Sequence, residues 1–183
     1  DMFEDYQQYS SPTLAGVILP SVTIDQRHYD ALEIPNTTSN YDFLRKLCWK
    51  GIQEKGIDKL PNVKEYYERV KKELAVFQET TFVDYVLLNW DVHTFCREND
   101  IVTGWGRGSA AGSLVFYLIG VTKDPIDPIK YELYFERFLS AVRAKKIEFE
   151  GKTYIDGGSL CDVDSDISYL ERHRVIEYIE SRY

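Results

Sequence analysis

Two stretches of this sequence carry residue types that do chemistry. Gly104-Trp-Gly-Arg-Gly-Ser-Ala-Ala-Gly-Ser113 is a glycine-rich turn, and Asp162-Val-Asp-Ser-Asp166 sets three carboxylates at alternate positions. Glycines at 106 and 108 let a backbone turn sharply and expose its N–H groups. Arg107 adds a fixed positive charge and Ser109 a hydroxyl, placed where the first turn of a following helix, read as Ala110 to Ile119, would draw anions. Arg107, Gly108 and Ser109 are therefore candidate phosphate-binding residues, against the alternative of a glycine turn that serves packing alone. In a strand, residues two apart point the same way, so Asp162, Asp164 and Asp166 share a face. Negative charge crowded in this way calls for a cation, and oxygen-only ligands select Mg²⁺ or Mn²⁺. The competing reading is a solvated acidic edge or a helix cap, to which Asp166 is most open. Phosphate and divalent metal held by one domain are the requirements of phosphoryl or nucleotidyl transfer.

Better-known phosphate and metal motifs do not fit. A P-loop needs Lys ahead of its Ser or Thr, and here Gly108 precedes Ser109. A dinucleotide fingerprint needs Gly-x-Gly-x-x-Gly, whereas Gly106, Gly108 and Gly112 are spaced one residue too far. A calcium loop beginning at Asp162 would need Gly at its sixth position and Glu at its twelfth; the residues there are Ile167 and His173. Between turn and carboxylates lie Arg137, Arg143, Lys145 and Lys146, cations suited to neutralising a triphosphate or a template strand, or else plain surface charges.

The elements that position these residues are mostly helical by periodicity. Asn40 is a candidate cap for a helix over 41–55 with Phe43, Leu44, Leu47, Cys48 and Ile52 on one face and Gly56 at its end. A second helix over 63–79 carries the stripe Tyr66, Val70, Leu74 and Phe77, and Thr80 and Thr81 break it. A third, over 82–98, is apolar around most of its circumference and is expected at the centre. Ile101 to Thr103 reads as a short strand into the glycine turn, and Leu14 to Pro20 as another. Residues 129–139 resume a helical pattern, and Lys146 to Ile155 alternates around Glu150-Gly151 as a β-hairpin does. After a strand over 160–166, Ser168 caps a last helix with Leu170, Val175, Ile176 and Ile179 on its inner side.

Composition narrows the class. The 183 residues, 44% apolar and 28% charged, describe a soluble globular domain with enough length for a real core. No apolar run approaches a membrane span, and the opening residues lack a signal peptide's basic start. Cys48, Cys96 and Cys161 are odd in number and widely spaced, which favours buried reduced thiols and a cytoplasmic setting over disulfides or zinc. A net charge of −8 argues against a generally basic nucleic-acid surface while leaving room for a local one. The start without Met and the end within a helical pattern read as a piece of a longer protein.

Taken in order, Gly104-Trp-Gly-Arg-Gly-Ser-Ala-Ala-Gly-Ser-Leu114, Asp127-Pro128, Phe135-Glu-Arg-Phe-Leu139 and Asp162-Val-Asp-Ser-Asp166 resemble the palm of C-family DNA polymerases, the bacterial DNA polymerase III alpha subunits and their phage relatives. Tyr67-Glu-Arg-Val-Lys-Lys-Glu-Leu74 and Phe82-Val-Asp-Tyr85 match the helical approach to that palm. The resemblance covers about residues 40 to 183, with 1–39 as the approach from an upstream domain. It implies an α/β (α+β) fold, a Pol β-like nucleotidyltransferase palm with peripheral helices, a short mixed sheet and an inserted β-hairpin. It also implies addition of dNTPs to a primer 3′ end on template DNA, with two Mg²⁺ ions held by Asp162 and Asp164 as catalytic aspartates. Gly108 and Ser109 would meet the triphosphate, as would Arg137, with Arg143 assisting. Primer-template DNA, dNTP and a sliding clamp reached through other segments are the implied partners, with no membrane. Cys161 stands where the family has Pro, Ser165 where it has an apolar residue, and 144–160 is longer than the family's link. The family's third catalytic aspartate falls beyond Tyr183, so this stretch alone is expected not to polymerise DNA. Two other readings remain: a Pol β-like nucleotidyltransferase with another acceptor, and a catalytically dead palm that binds DNA or a partner.

Overall fold

The computed structural model describes residues 16–18, 21–101, 112–122, 128–129, 146–149, 152–156 and 169–182. Six helices are described: α1 (Gln26–Ala31), α2 (Asn40–Glu54), α3 (Val63–Glu79), α4 (Val83–Glu98), α5 (Leu114–Leu118) and α6 (Tyr169–Arg182), with a 3₁₀ turn at Ile57–Lys59. Strands β1 (Gly16–Ile18), β2 (Lys146–Phe149) and β3 (Lys152–Asp156) form an antiparallel sheet in the order β1-β3-β2.

The expected α/β palm is corrected by this architecture. Residues 21–101 and 112–122, which hold nearly all of the described core, are helices and turns with no strand among them. The expected mixed sheet is replaced by three short strands paired antiparallel only, with Val17 opposite Ile155 and Ile147 opposite Tyr154. The physical reason lies in the lengths. The apolar runs with strand character span three to five residues, while the apolar stripes of period 3.6 run for four turns and cover one another. The strand expected over 101–103 is not seen at Ile101, whose N–H closes the end of α4 on the Cys96 carbonyl at 2.8 Å.

Local chemistry starts and stops each helix. Ser39, not Asn40, caps α2, its hydroxyl accepting from the Asp42 N–H at 3.1 Å. Asn40 instead donates its side-chain amide to the Asp84 carboxylate at 2.7 Å and to the Val22 carbonyl, tying α2 to α4 and to the segment ahead of α1. Three helices end on a non-glycine residue in the left-handed conformation: Glu33 (φ 57°), Thr81 (φ 59°) and Asp100 (φ 56°). In each case the next N–H reaches back five residues, Ile34 to Tyr29, Phe82 to Phe77 and Ile101 to Cys96, which satisfies an otherwise orphaned carbonyl. Gly120 (φ 85°) does the same after α5.

The described core runs through all six helices. α4 is buried on nearly every side, from Tyr85 to Thr94 and again at Cys96. Phe43 stacks edge-on against Trp90 and Tyr29, joining α2, α4 and α1. α5, five residues long and wholly buried, packs against both α2 and α3. A side chain at Gly51 would run into the Leu118 carbonyl, so glycine in the middle of α2 is what admits α5. Cys48 and Cys96 are free and buried, and burial pushes the Cys48 thiol up out of reach of ionisation. Cys161 lies outside the described residues. No helix among the described residues is long and apolar enough to cross a membrane.

Candidate functional site

The described chemistry concentrates on the flanks of the two motifs. On α3, Glu73 is fully buried among apolar neighbours, a position that costs several kcal/mol for an unpartnered carboxylate. It has four donors. Arg69 Nε lies 2.7 Å from Oε2, the Ser113 hydroxyl donates to Oε1 at 2.7 Å, and the backbone N–H groups of Leu114 and Val115 donate at 2.9 and 3.1 Å. Arg69 also donates through Nη2 to the Gly112 carbonyl at 2.7 Å. Ser113 accepts from the Phe116 N–H at 3.2 Å. A helix leaves its first N–H groups without partners and carries partial positive charge there. In α5 those groups are taken by Glu73 and Ser113.

This overturns one expectation about the glycine turn. The described helix after it, α5, begins at Leu114 behind an extended Ser113, so no single helix runs over 110–119, and the N-terminus of α5 already holds an internal carboxylate. Burial pushes the Glu73 carboxyl above the ordinary range, while the Ser113 hydroxyl, the Arg69 charge and the two amides pull it back. All four neighbours donate, the arrangement an ionised carboxylate requires.

The other flank is the docking of α6. Tyr178 stacks on Phe95 at 4.1 Å and donates its hydroxyl to the buried Asp91 carboxylate at 2.7 Å. Arg182 pairs with Asp25 at 2.9 Å and lies 3.3 Å from Asp91. Arg174 donates to the Asn99 side-chain oxygen at 2.8 Å. Val175 is buried, but Ile176, expected on the inner side, is 49% exposed, because Val175, Tyr178 and Arg182 make the face that meets α4. α6 is the helix that follows the aspartates, and Asn99 closes the helix that precedes the glycine turn.

The predicted phosphate-binding residues Arg107, Gly108, Ser109, Arg137 and Arg143 lie outside the described residues, as do Asp162, Asp164 and Asp166. Among the described residues no group of three His, Cys, Asp or Glu side chains is placed to hold a metal ion. A separate cleft of about 680 Å³, lined by α1, α2, α4 and the turn at Gly120, includes none of the predicted residues. Its cations are partly offset by ion pairs, Arg27 with Glu98 at 2.8 Å and Lys50 with Glu54 at 3.7 Å. Glu73 and Arg69 are the residues that sequence reading missed as part of the motif's support. Both fell within the stretch that carried the family resemblance, and the buried stripe of α3 includes position 73 between Val70 and Leu74.

A family model described as the bacterial DNA polymerase III alpha NTPase domain matches residues 42–183. A DNA polymerase III subunit alpha from Halalkalibacterium halodurans is 39% identical over 162 residues, 88% of this chain and 13% of the relative. Its counterpart from Aquifex aeolicus is 38% identical over 82% of this chain and 12% of the relative. That from Bacillus subtilis is 36% identical over 88% of this chain and 13% of the relative. The chain thus spans about an eighth of the length of these relatives.

Proposed function

The chain belongs to the bacterial DNA polymerase III alpha family, and from that premise we propose that it is the nucleotide-handling portion of a DNA-directed DNA polymerase. In this reading the longer protein adds a dNTP to a primer 3′-OH under the direction of a template strand. The primer oxygen attacks the α-phosphorus in line, the bond to the β-phosphate oxygen breaks, and pyrophosphate leaves. Asp162 and Asp164 would hold two Mg²⁺ ions, with Asp166 as a further candidate ligand and another carboxylate contributed from beyond these residues. The donor set is hard oxygen, which suits Mg²⁺ over softer metals, and the bound ions would lower the cost of forming the 3′-alkoxide and the pyrophosphate charge. Arg107, Gly108 and Ser109 grip the triphosphate, and Arg137, helped by Arg143, neutralises it. With α5 already capped by Glu73, the grip falls to the backbone amides and side chains of the turn itself. Attachment to a sliding clamp belongs to other parts of the longer protein.

The observation that carries the reading is the family match over 42–183, which takes in the glycine turn, the Phe-Glu-Arg-Phe segment and the aspartates in one span. The hydrogen bond between Arg174 and Asn99 supports it, since it ties the helix after the aspartates to the residue that leads into the glycine turn. Five residues separate Asn99 from Gly104, a reach of at most about 18 Å.

The test is primer extension with Mg²⁺ by the full-length protein, wild type beside Asp164→Asn. Extension by the wild type and a loss of at least about a thousandfold in the variant are expected. Equal extension by both would move the metal site elsewhere. No extension by either, with primer-template still bound, would make the protein a binding module. The 183 residues by themselves are expected to give no extension.

A further inference from the structure

Among the described groups, the Arg69–Glu73 pair has a geometry that goes beyond packing. We propose that Arg69 and Glu73 are positioning residues of the triphosphate site, which fix the downstream end of the glycine turn. The inference rests on the reading of that turn as the triphosphate grip.

Four observations carry it. Glu73 receives four donors, and three of them come from the last residue of the turn, Ser113 through Oγ, and from the N–H groups of the two residues that follow it, Leu114 and Val115. Arg69 holds the Gly112 carbonyl at 2.7 Å, so the last glycine of the motif is clamped through its backbone. The same guanidinium binds Glu73, which makes one rigid fork of two side chains a turn apart on α3. Finally, α3 is anchored independently, with Tyr66, Val70, Leu74 and Phe77 in the core. A rigid helix thus sets where Gly112 to Val115 sit, and the turn must leave from that point.

The arrangement makes a second demand. A phosphate at the N-terminus of α5 would have to compete with an internal carboxylate for the same N–H groups, and would meet its negative charge. The triphosphate therefore binds upstream of Gly112, and Glu73 is the reason. This differs from the P-loop and dinucleotide-binding arrangements, in which the helix end itself holds phosphate.

Arg69→Lys separates positioning from stability. A lysine keeps the charge beside Glu73, but its single ammonium cannot also span to the Gly112 carbonyl. The full-length protein would be assayed by steady-state primer extension with varied dNTP, beside a Leu74→Val core variant and with the melting temperatures of both variants measured. Positioning predicts that Arg69→Lys raises the KM for dNTP about tenfold with kcat changed by less than about twofold, while Leu74→Val leaves KM unchanged. An unchanged KM in Arg69→Lys, or an equal rise in Leu74→Val, would overturn the proposal. Calorimetric titration with Mg²⁺·dATP keeps the two readings apart. Binding without extension in the wild type would sink the polymerase reading, and the same comparison of Arg69→Lys with Leu74→Val would then be read on Kd. Neither binding nor extension in the folded wild type would sink both.

Discussion

His28 shows how a single residue registers its surroundings. It is half-buried edge-on against Trp90, with ring centroids 4.8 Å apart, and its Nε2 is enclosed without a hydrogen-bond partner. Burial pushes its pKa below the ordinary value and the Arg27 charge adds to that, against smaller opposing effects of Asp91, Glu98 and Asp25. The folded state therefore disfavours the imidazolium. Its contribution to stability is full above about pH 6.5, the unfolded value, and is lost as pH falls from there towards the depressed folded pKa. Melting curves between pH 5 and 8 should show the wild type losing more stability on acidification than His28→Asn, and parallel curves would refute the assignment. At this scale the sequence was least informative. The role of Glu73 could not be read because three of its four donors lie 40 to 42 residues away. Asn40 was expected as the cap where Ser39 serves, since Asn is a capping type too, and only the fold shows that the Asn40 amide is occupied by Asp84. The eight predicted phosphate and metal residues were legible as chemistry alone, by type and spacing.

The helices themselves were easy to read where period and length agreed. α2, α3 and α4 match their expected spans within about two residues because each repeats a 3.6-residue stripe over several turns. α1 was missed, since its six residues bury Tyr29 alone and a single apolar position has no period. α5 was placed but started too early, because its true start is set by Glu73 from another helix. The sheet class was misjudged because short alternating runs say nothing of how many strands will join or which way they run. The left-handed helix ends were also invisible, and they make a prediction. Thr81 is β-branched and exposed at φ 59°, a conformation that costs an L-residue about 1–2 kcal/mol. Thr81→Gly should relieve that strain, less about 0.5–1 kcal/mol of added chain entropy. A net gain of about 0.5–1 kcal/mol, seen as a higher melting temperature, is expected; a lower one would show that the Thr81 hydroxyl, which donates to the Thr80 carbonyl, matters more.

Across the whole molecule, the described side chains of α6 dock through polar pairs as well as apolar contacts. Val175 and the half-buried Ile179 meet the core, while Tyr178, Arg182 and Arg174 reach Asp91, Asp25 and Asn99. A hydrogen bond to a buried carboxylate is worth about 1.5–3 kcal/mol. Tyr178→Phe should accordingly speed amide hydrogen exchange throughout α6 while that of α3 stays near the wild-type rate. Uniform acceleration of both helices would mean that α6 opens only with the whole molecule. Its position was legible as a final amphipathic helix, but its partners were not, since they lie 75 to 157 residues upstream.

That separation reaches into synthesis. Arg182 closes on Asp25 across 157 residues, and at about 5–20 residues per second a ribosome needs roughly 8 to 30 s to make the intervening chain. Helices α1 to α4 have time to collapse on one another during that interval, whereas the face that receives α6 stays bare to water, chaperones and neighbouring nascent chains. Asn99 and Arg174 meet only when this last helix arrives.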